Sequence, residues 1–248
     1  MAWATIARRE LLAYFRTPFG WTLLTVFLLV QGYSFFLFVE LMAQPLAPHG
    51  TPLRLFLGGT LLYWLFLIMV VALTTMRLLA EERRSGTLET LLTAPVRPIA
   101  IVLGKYLAAV LFYVALWLPT AVYVLLAAWL AERGTLDWGS VAAGYLGTLS
   151  VGATALAVGV LCSALTAQPL IAALLCAASL ALWVLLGPLR FFVSDGPLAT
   201  LLERLDVLAQ LDDFARGLVD SRHLLLHGSV IVFCLTAAVG HLGLRRRP

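Results

Sequence analysis

Six long runs of nearly uncharged residues divide this chain, at 19–41, 55–76, 101–130, 141–165, 170–186 and 224–244. A hydrocarbon core of about 30 Å takes about 20 apolar residues in helix. Inside it, every backbone polar group must be satisfied within the protein. The runs therefore predict one all-α, polytopic membrane domain of six transmembrane helices over residues 1–248. Composition agrees: only 12% of residues are charged, against about 25% in soluble domains, and the mean hydropathy is +0.97.

Charge gathers in the connections, and its asymmetry predicts an orientation. If both termini, the 77–105 loop and the 166–169 turn share one side, that side holds eleven of seventeen Lys and Arg and four of thirteen Asp and Glu. The two sides then carry +7 and −3. Excess Lys and Arg mark the cytoplasmic face, so both termini and the charged loop are expected inside. Sixteen Arg to one Lys suggests a GC-rich source and a bacterial inner membrane. The formal charge of +4 is read as lipid contact and orientation. Without a basic patch interleaved with aromatics, no nucleic acid is expected as a partner.

Several local expectations follow along the chain. Residues 1–17 are too long a polar lead for a cleaved signal. They predict an N-terminal interfacial amphipathic helix, with Trp3 and Tyr14 on the apolar face and Arg8, Arg9 and Glu10 elsewhere around it. Pro119 predicts a kink in the long third span. Gly144, Gly147, Gly152 and Gly159 predict close helix packing of the fourth. Gly187-Pro188 is expected to end the fifth span. Leucines recurring over 198–211 predict one or two extracytoplasmic amphipathic helices before the last span. Cys162, Cys176 and Cys234 read as buried free thiols. His223 and His227 share a helical face without an acidic or thiol partner fixed by sequence, so a metal is not expected.

Several functions lose their residues. The spans carry no Asp, Glu, Lys or Arg near their centres, and ion-coupled carriers usually bury such groups on the transport path. No charged ring or carbonyl filter of a channel is present. Glu81-Glu82 resembles the paired glutamates of membrane prenyl-protein proteases, but Gly86 stands where their arginine would be. Ser150 does not sit in a nucleophile elbow. Gly104-Lys105 lacks the preceding glycine and following hydroxyl of a phosphate-binding loop. No catalytic residue is assigned. If ATP drives this protein, another polypeptide holds it.

The densest charge lies at residues 77–95. Ser85, Gly86 and Thr87 are expected to break the helix leaving the second span. Thr87 can cap a new short helix, with Glu89 in its first turn. Leu88, Leu91 and Leu92 would form one apolar face, ended by Pro95. Glu81, Glu82, Arg83 and Arg84 beside it can pair with a partner and fix register, while the leucines supply burial in a groove.

This run, continued by Ile101-Val-Leu-Gly104-Lys105-Tyr106, resembles the membrane subunit of type-2 ATP-binding-cassette exporters. It is most similar to the small six-span permeases of the gliding-motility and nitrous-oxide-reductase-maturation kind. The likeness extends to Arg9-Glu10-Leu-Leu-Ala-Tyr14-Phe15 and to Asp212-Asp213-Phe214-Ala-Arg216-Gly217-Leu-Val-Asp220. It implies that residues 81–92 are a coupling helix seated on a separate ATPase, with the N-terminal helix packed beside it. It implies two permeases, as homodimer or homologous heterodimer, and two ATPases that bind the ATP and Mg. It implies that the region holding Asp212, Asp213, Phe214, Gly217 and Asp220 gates the extracytoplasmic exit. The chain lacks the large extracytoplasmic domain of macrolide exporters.

Overall fold

The computed structural model describes residues 2–42, 54, 56–86, 97–130, 137–193 and 196–244. All regular structure among them is helical, and six helical stretches are long and apolar enough to cross a membrane. In chain order the helices are α1 (Ala2–Arg16), α2 (Pro18–Met42), α3 (Leu61–Thr75), α4 (Ala80–Arg84), α5 (Pro98–Trp117), α6 (Ala121–Leu130), α7 (Trp138–Leu165), α8 (Pro169–Leu189), α9 (Pro197–Leu205), α10 (Val207–Ala215) and α11 (Ser221–Leu244).

The bundle is built around α7, which touches α3, α5, α8, α10 and α11. Two thirds of its apolar window is buried (67%), against 17% for α11. Its glycines explain this position, because each admits a different neighbour. Leu57 lies over Gly144, Phe214 over Gly147, Tyr113 over Gly152 and Thr75 over Gly159. In lipid, where helix association depends on close packing, such contacts hold a bundle together. The expected packing role of these glycines is therefore observed.

The third span does break at Pro119. Helix α5 passes through a 3-10 turn, Leu118–Thr120, into α6. Proline brings no N–H, so a carbonyl one turn earlier loses its usual donor. The Thr120 hydroxyl bonds Trp117 O at 2.6 Å and meets Tyr145 Oη at 2.8 Å. Beside this break, Trp117 packs edge-on to Phe27 and Tyr145.

Helix α8 departs from expectation. It runs past Gly187-Pro188 to Leu189 and continues as a 3-10 turn, Arg190–Phe192. Pro188 falls in the last turn, where little helix remains to be disturbed. Gly187 is needed for contact instead: the Asp206 carboxylate, which caps α10 through the N–H groups of Leu208 and Ala209, lies against it. Of the two helices before the last span, α10 buries Val207, Leu211 and Phe214 against α7 and α8, whereas α9 buries only Leu202. The three cysteines are free and buried.

Candidate functional site

Helix α3 stops at Thr75, nine residues before the Ser85-Gly86-Thr87 breaker would end it. A turn over 76–79 interrupts the helix before the single turn of α4. The cause is a contact from α7. Ser163 Oγ accepts from the N–H groups of Leu79 and Ala80 at 3.1 Å each and donates to Met76 O at 3.3 Å. It thus satisfies helix-end groups that would otherwise lack partners. Arg83 adds a hydrogen bond from Nη1 to Ala164 O at 3.2 Å. Helix α4 is thereby pinned to the end of α7. Gly86 then turns the chain away with φ +73°, a left-handed conformation that glycine adopts without strain.

Three separate elements meet around one lysine. Lys105, on α5, has a side chain only 2% exposed. Its Nζ lies 3.1 Å from Glu10 Oε1 on α1 and 2.9 Å from Glu82 Oε1 on α4. Arg9 approaches the same two oxygens at 3.2 and 3.5 Å. Two cations and two carboxylates make a neutral cluster. A buried ammonium is costly unless paired, so the two glutamates are what permits Lys105 to sit inside. The neighbouring Gly104 permits the approach of α1: a Cβ there would stand 2.8 Å from Trp3 O and 2.9 Å from Ile6 Cβ. Gly104 admits α1, and Lys105 ties it to α4.

Tyr14 makes a second tie. Its hydroxyl donates to Thr74 O at 2.7 Å, and its ring stacks on Phe112 at 4.6 Å. Burial, aided by the Glu10 carboxylate, pushes its pKa above the usual phenol range, so the donated proton stays in place. Arg77 lies over the Phe19 ring at 5.7 Å and faces Glu81 at 3.7 Å. A cavity of about 300 Å³ opens here, bounded by Arg9, Glu10, Tyr14, Arg77, Glu81 and Lys105. A wider groove of about 990 Å³ runs between α4 and the turn before α8, past Arg77, Glu81, Arg84 and Gln168.

The expected contact residues thus divide. Glu81 and Arg84 face outward, whereas Glu82 and Arg83 turn into the protein. Gly86 closes α4. Thr87, Leu88, Glu89, Leu91 and Leu92 lie outside the described residues. In the N-terminal helix, Glu10 and Tyr14 join the cluster, while Trp3 and Arg8 stay exposed. Lys105 and Ser163 were not among the expected site residues. That Lys105 is the only lysine among seventeen basic residues was the available signal.

At the opposite end, the residues from α10 onward assemble over the mouth of α7. Asp212 is held by Arg54 at 2.9 Å and Arg216 at 2.6 Å. Asp213 pairs with His223 at 3.3 Å. Phe214 is fully buried over Gly147. Gly217, at φ +83°, passes close to Ser140. Asp220 accepts from Arg222 N at 2.8 Å at the start of α11. His227 meets Thr154 Oγ1 through Nδ1 at 3.0 Å. Among the described residues, no group of three His, Cys, Asp or Glu could hold a metal.

Residues 51–210 match the family model described as ABC-2 family transporter protein. No curated protein shows a significant match to the chain.

Proposed function

Because this chain belongs to the ABC-2 family of transporter proteins, we propose that it moves its cargo outward on force delivered at α4 by a separate ATPase. The chain is a multi-pass ABC permease subunit, and the family implies an ABC ATPase as its partner. The working unit is two permeases with two ATPases, which carry the ATP and Mg. It sits in a bacterial inner membrane with α1, α4 and both termini in the cytoplasm. Its charged run resembles that of the small gliding-motility and nitrous-oxide-maturation permeases, and we assign it to that kind.

One observation carries this reading: Lys105 joins α1, α4 and a spanning helix through two carboxylates at 3.1 and 2.9 Å. A push on α4 cannot be absorbed locally, because α4 is also fastened to α7 through Ser163 and Arg83. Displacement of α4 therefore passes to α1, α5 and α7 together. The ATPase shifts the permease between two arrangements only as far as it binds one of them better. Exposed Glu81 and Arg84 offer register to it, and the 81–92 segment offers burial. Asp212, Asp213, Phe214, Gly217 and Asp220, packed on the far end of α7, form the exit gate that responds.

The test is charge reversal at the exposed Glu81 and Arg84 in a permease purified with its ATPase. Transport-linked ATP hydrolysis should be lost while the spans remain folded. Full stimulated hydrolysis in the double variant would remove α4 from the coupling path.

A further inference from the structure

Where α3 begins and α8 ends, a cavity of about 320 Å³ opens between them and α10. One part of its wall is apolar: Trp64 of α3, Val184 of α8, and Leu208 and Leu211 of α10. The Trp64 indole N–H is spent on Gly58 O at 2.8 Å, so the ring offers apolar surface. The other part is polar and lies just before the first residue of α3, at Arg54 and Thr60. Arg54 Nε meets Asp212 at 2.9 Å, and Asp212 also takes Arg216 at 2.6 Å. Two guanidiniums thus share one carboxylate. Arg54 pairs with no other acid among the described residues, and half of its side chain stays exposed. The Thr60 hydroxyl accepts from Tyr63 N at 3.3 Å and keeps its proton for another acceptor.

Two leucines mark the way in. Leu61 and Leu185 line the cavity and are 74% and 57% exposed. Both belong to spanning helices, where exposed apolar surface faces lipid. The cavity is therefore open to the bilayer, at the level where apolar spans meet the polar boundary. An apolar pocket with a few placed polar groups is the usual form of a ligand site, and this one is at the small end of the range, ~300–1,000 Å³. It takes the upper part of one acyl chain, not a whole two-chain lipid. We propose that this cavity seats one acyl chain of an anionic phospholipid, with its phosphate on Arg54 and Thr60. The chain covers Trp64, Leu208 and Leu211, and the second chain stays in the bilayer. Guanidinium binds phosphate in charge-assisted hydrogen bonds, whereas a zwitterionic head brings its own cation to the same place. The site holds whichever way the molecule is oriented, and whether or not an ATPase acts on α4.

Lipid photo-cross-linking tests this. The purified chain is placed in phosphatidylcholine nanodiscs carrying a trace of phosphatidylglycerol with a diazirine on one acyl chain, and adducts are located by mass spectrometry. Trp64, Leu208 and Leu211 should be labelled several-fold above Leu29 and Phe233, which face open lipid at 68% and 69% exposure. A phosphatidylcholine probe with the same chain should give no such excess. Arg54→Gln leaves Asp212 its Arg216 partner and should remove most of the excess, since losing one hydrogen bond to a charged group lowers affinity ~tenfold. Leu208→Trp fills the cavity, keeps Arg54 and should abolish the excess. Labelling at the cavity no greater than at Leu29 and Phe233, an equal excess with the phosphatidylcholine probe, or an excess erased by free glycerol phosphate would each overturn the assignment. So would an excess that persists in either variant once folded.

Discussion

At the scale of single residues, Lys105 and Gly147 do the most specific work. Removing the ammonium leaves Glu10 and Glu82 facing one another at an 18%-exposed site. Breaking a buried ion pair from one side costs ~3–5 kcal/mol. Lys105→Met should therefore lower the thermal unfolding temperature in detergent sharply. Double replacement with Glu10→Gln and Glu82→Gln should recover much of the loss, since the uncompensated charge is then gone. Arg9, two-thirds exposed, lies in the range where pairs contribute little, and Arg9→Ala should barely register in the same melt. Gly147 poses a steric question. A Cβ there would stand 2.7 Å from the Cβ of Phe214. Overpacking of this kind costs ~1–3 kcal/mol, so Gly147→Ala should destabilise the fold. In the Phe214→Ala background the same change should cost much less, because contacting sites are not additive. Additive melts would show that Phe214 does not occupy the glycine notch.

At the scale of elements, the ends of α4 and α7 show how short-range chemistry is set by other helices. Helix α4 is a single turn and could not hold itself. Ser163 and Ala164 of α7 supply what its own sequence lacks. Helix α7 begins on Asp137, whose carboxylate accepts from the Gly139 and Ser140 N–H groups at 3.0 and 3.2 Å. The Ser140 hydroxyl, followed by these two N–H groups, holds the Asp137 carboxyl below its ordinary range. A lowered carboxylate stabilises the fold above its unfolded value and loses that contribution as pH falls through the folded one. Amide protection at Gly139 and Ser140 should thus hold from neutral pH down to about 4, the ordinary carboxylate value, and fall off below it. Hydrogen exchange against pH reads this directly. Asp137→Ala should show the loss already at neutral pH, and unchanged protection in that variant would discount the cap.

At the scale of the whole molecule, the two polar ends are distinct assemblies on a common axis, α7. One gathers α1, α4 and the start of α5 around Lys105. The other gathers α10 and the start of α11 around Asp212 and Phe214. The proposed orientation puts the first inside the cell. Arg84 and Leu218 are both exposed at opposite ends of this axis. In a cysteine-free background, Arg84→Cys should react with an impermeant maleimide only from the cytoplasmic side. Leu218→Cys should react only from outside. The reverse pattern would invert the molecule and end the coupling proposal.

The sequence by itself determined the all-helical, six-span architecture, the break at Pro119 and the close packing of α7. Each is set within one segment: by hydropathy over ~20 residues, by a missing N–H, or by a missing side chain. It also placed the charged run and the 212–220 residues in the polar connections. Where α3 ends and which charges look inward were decided only by tertiary structure. Glu10 and Glu82 reach Lys105 across 95 and 23 residues of chain, and Ser163 reaches Leu79 across 84. A charge run read alone looks solvated throughout. Glu82 and Arg83 turn inward because helices distant in sequence bring a buried cation and a free carbonyl to meet them.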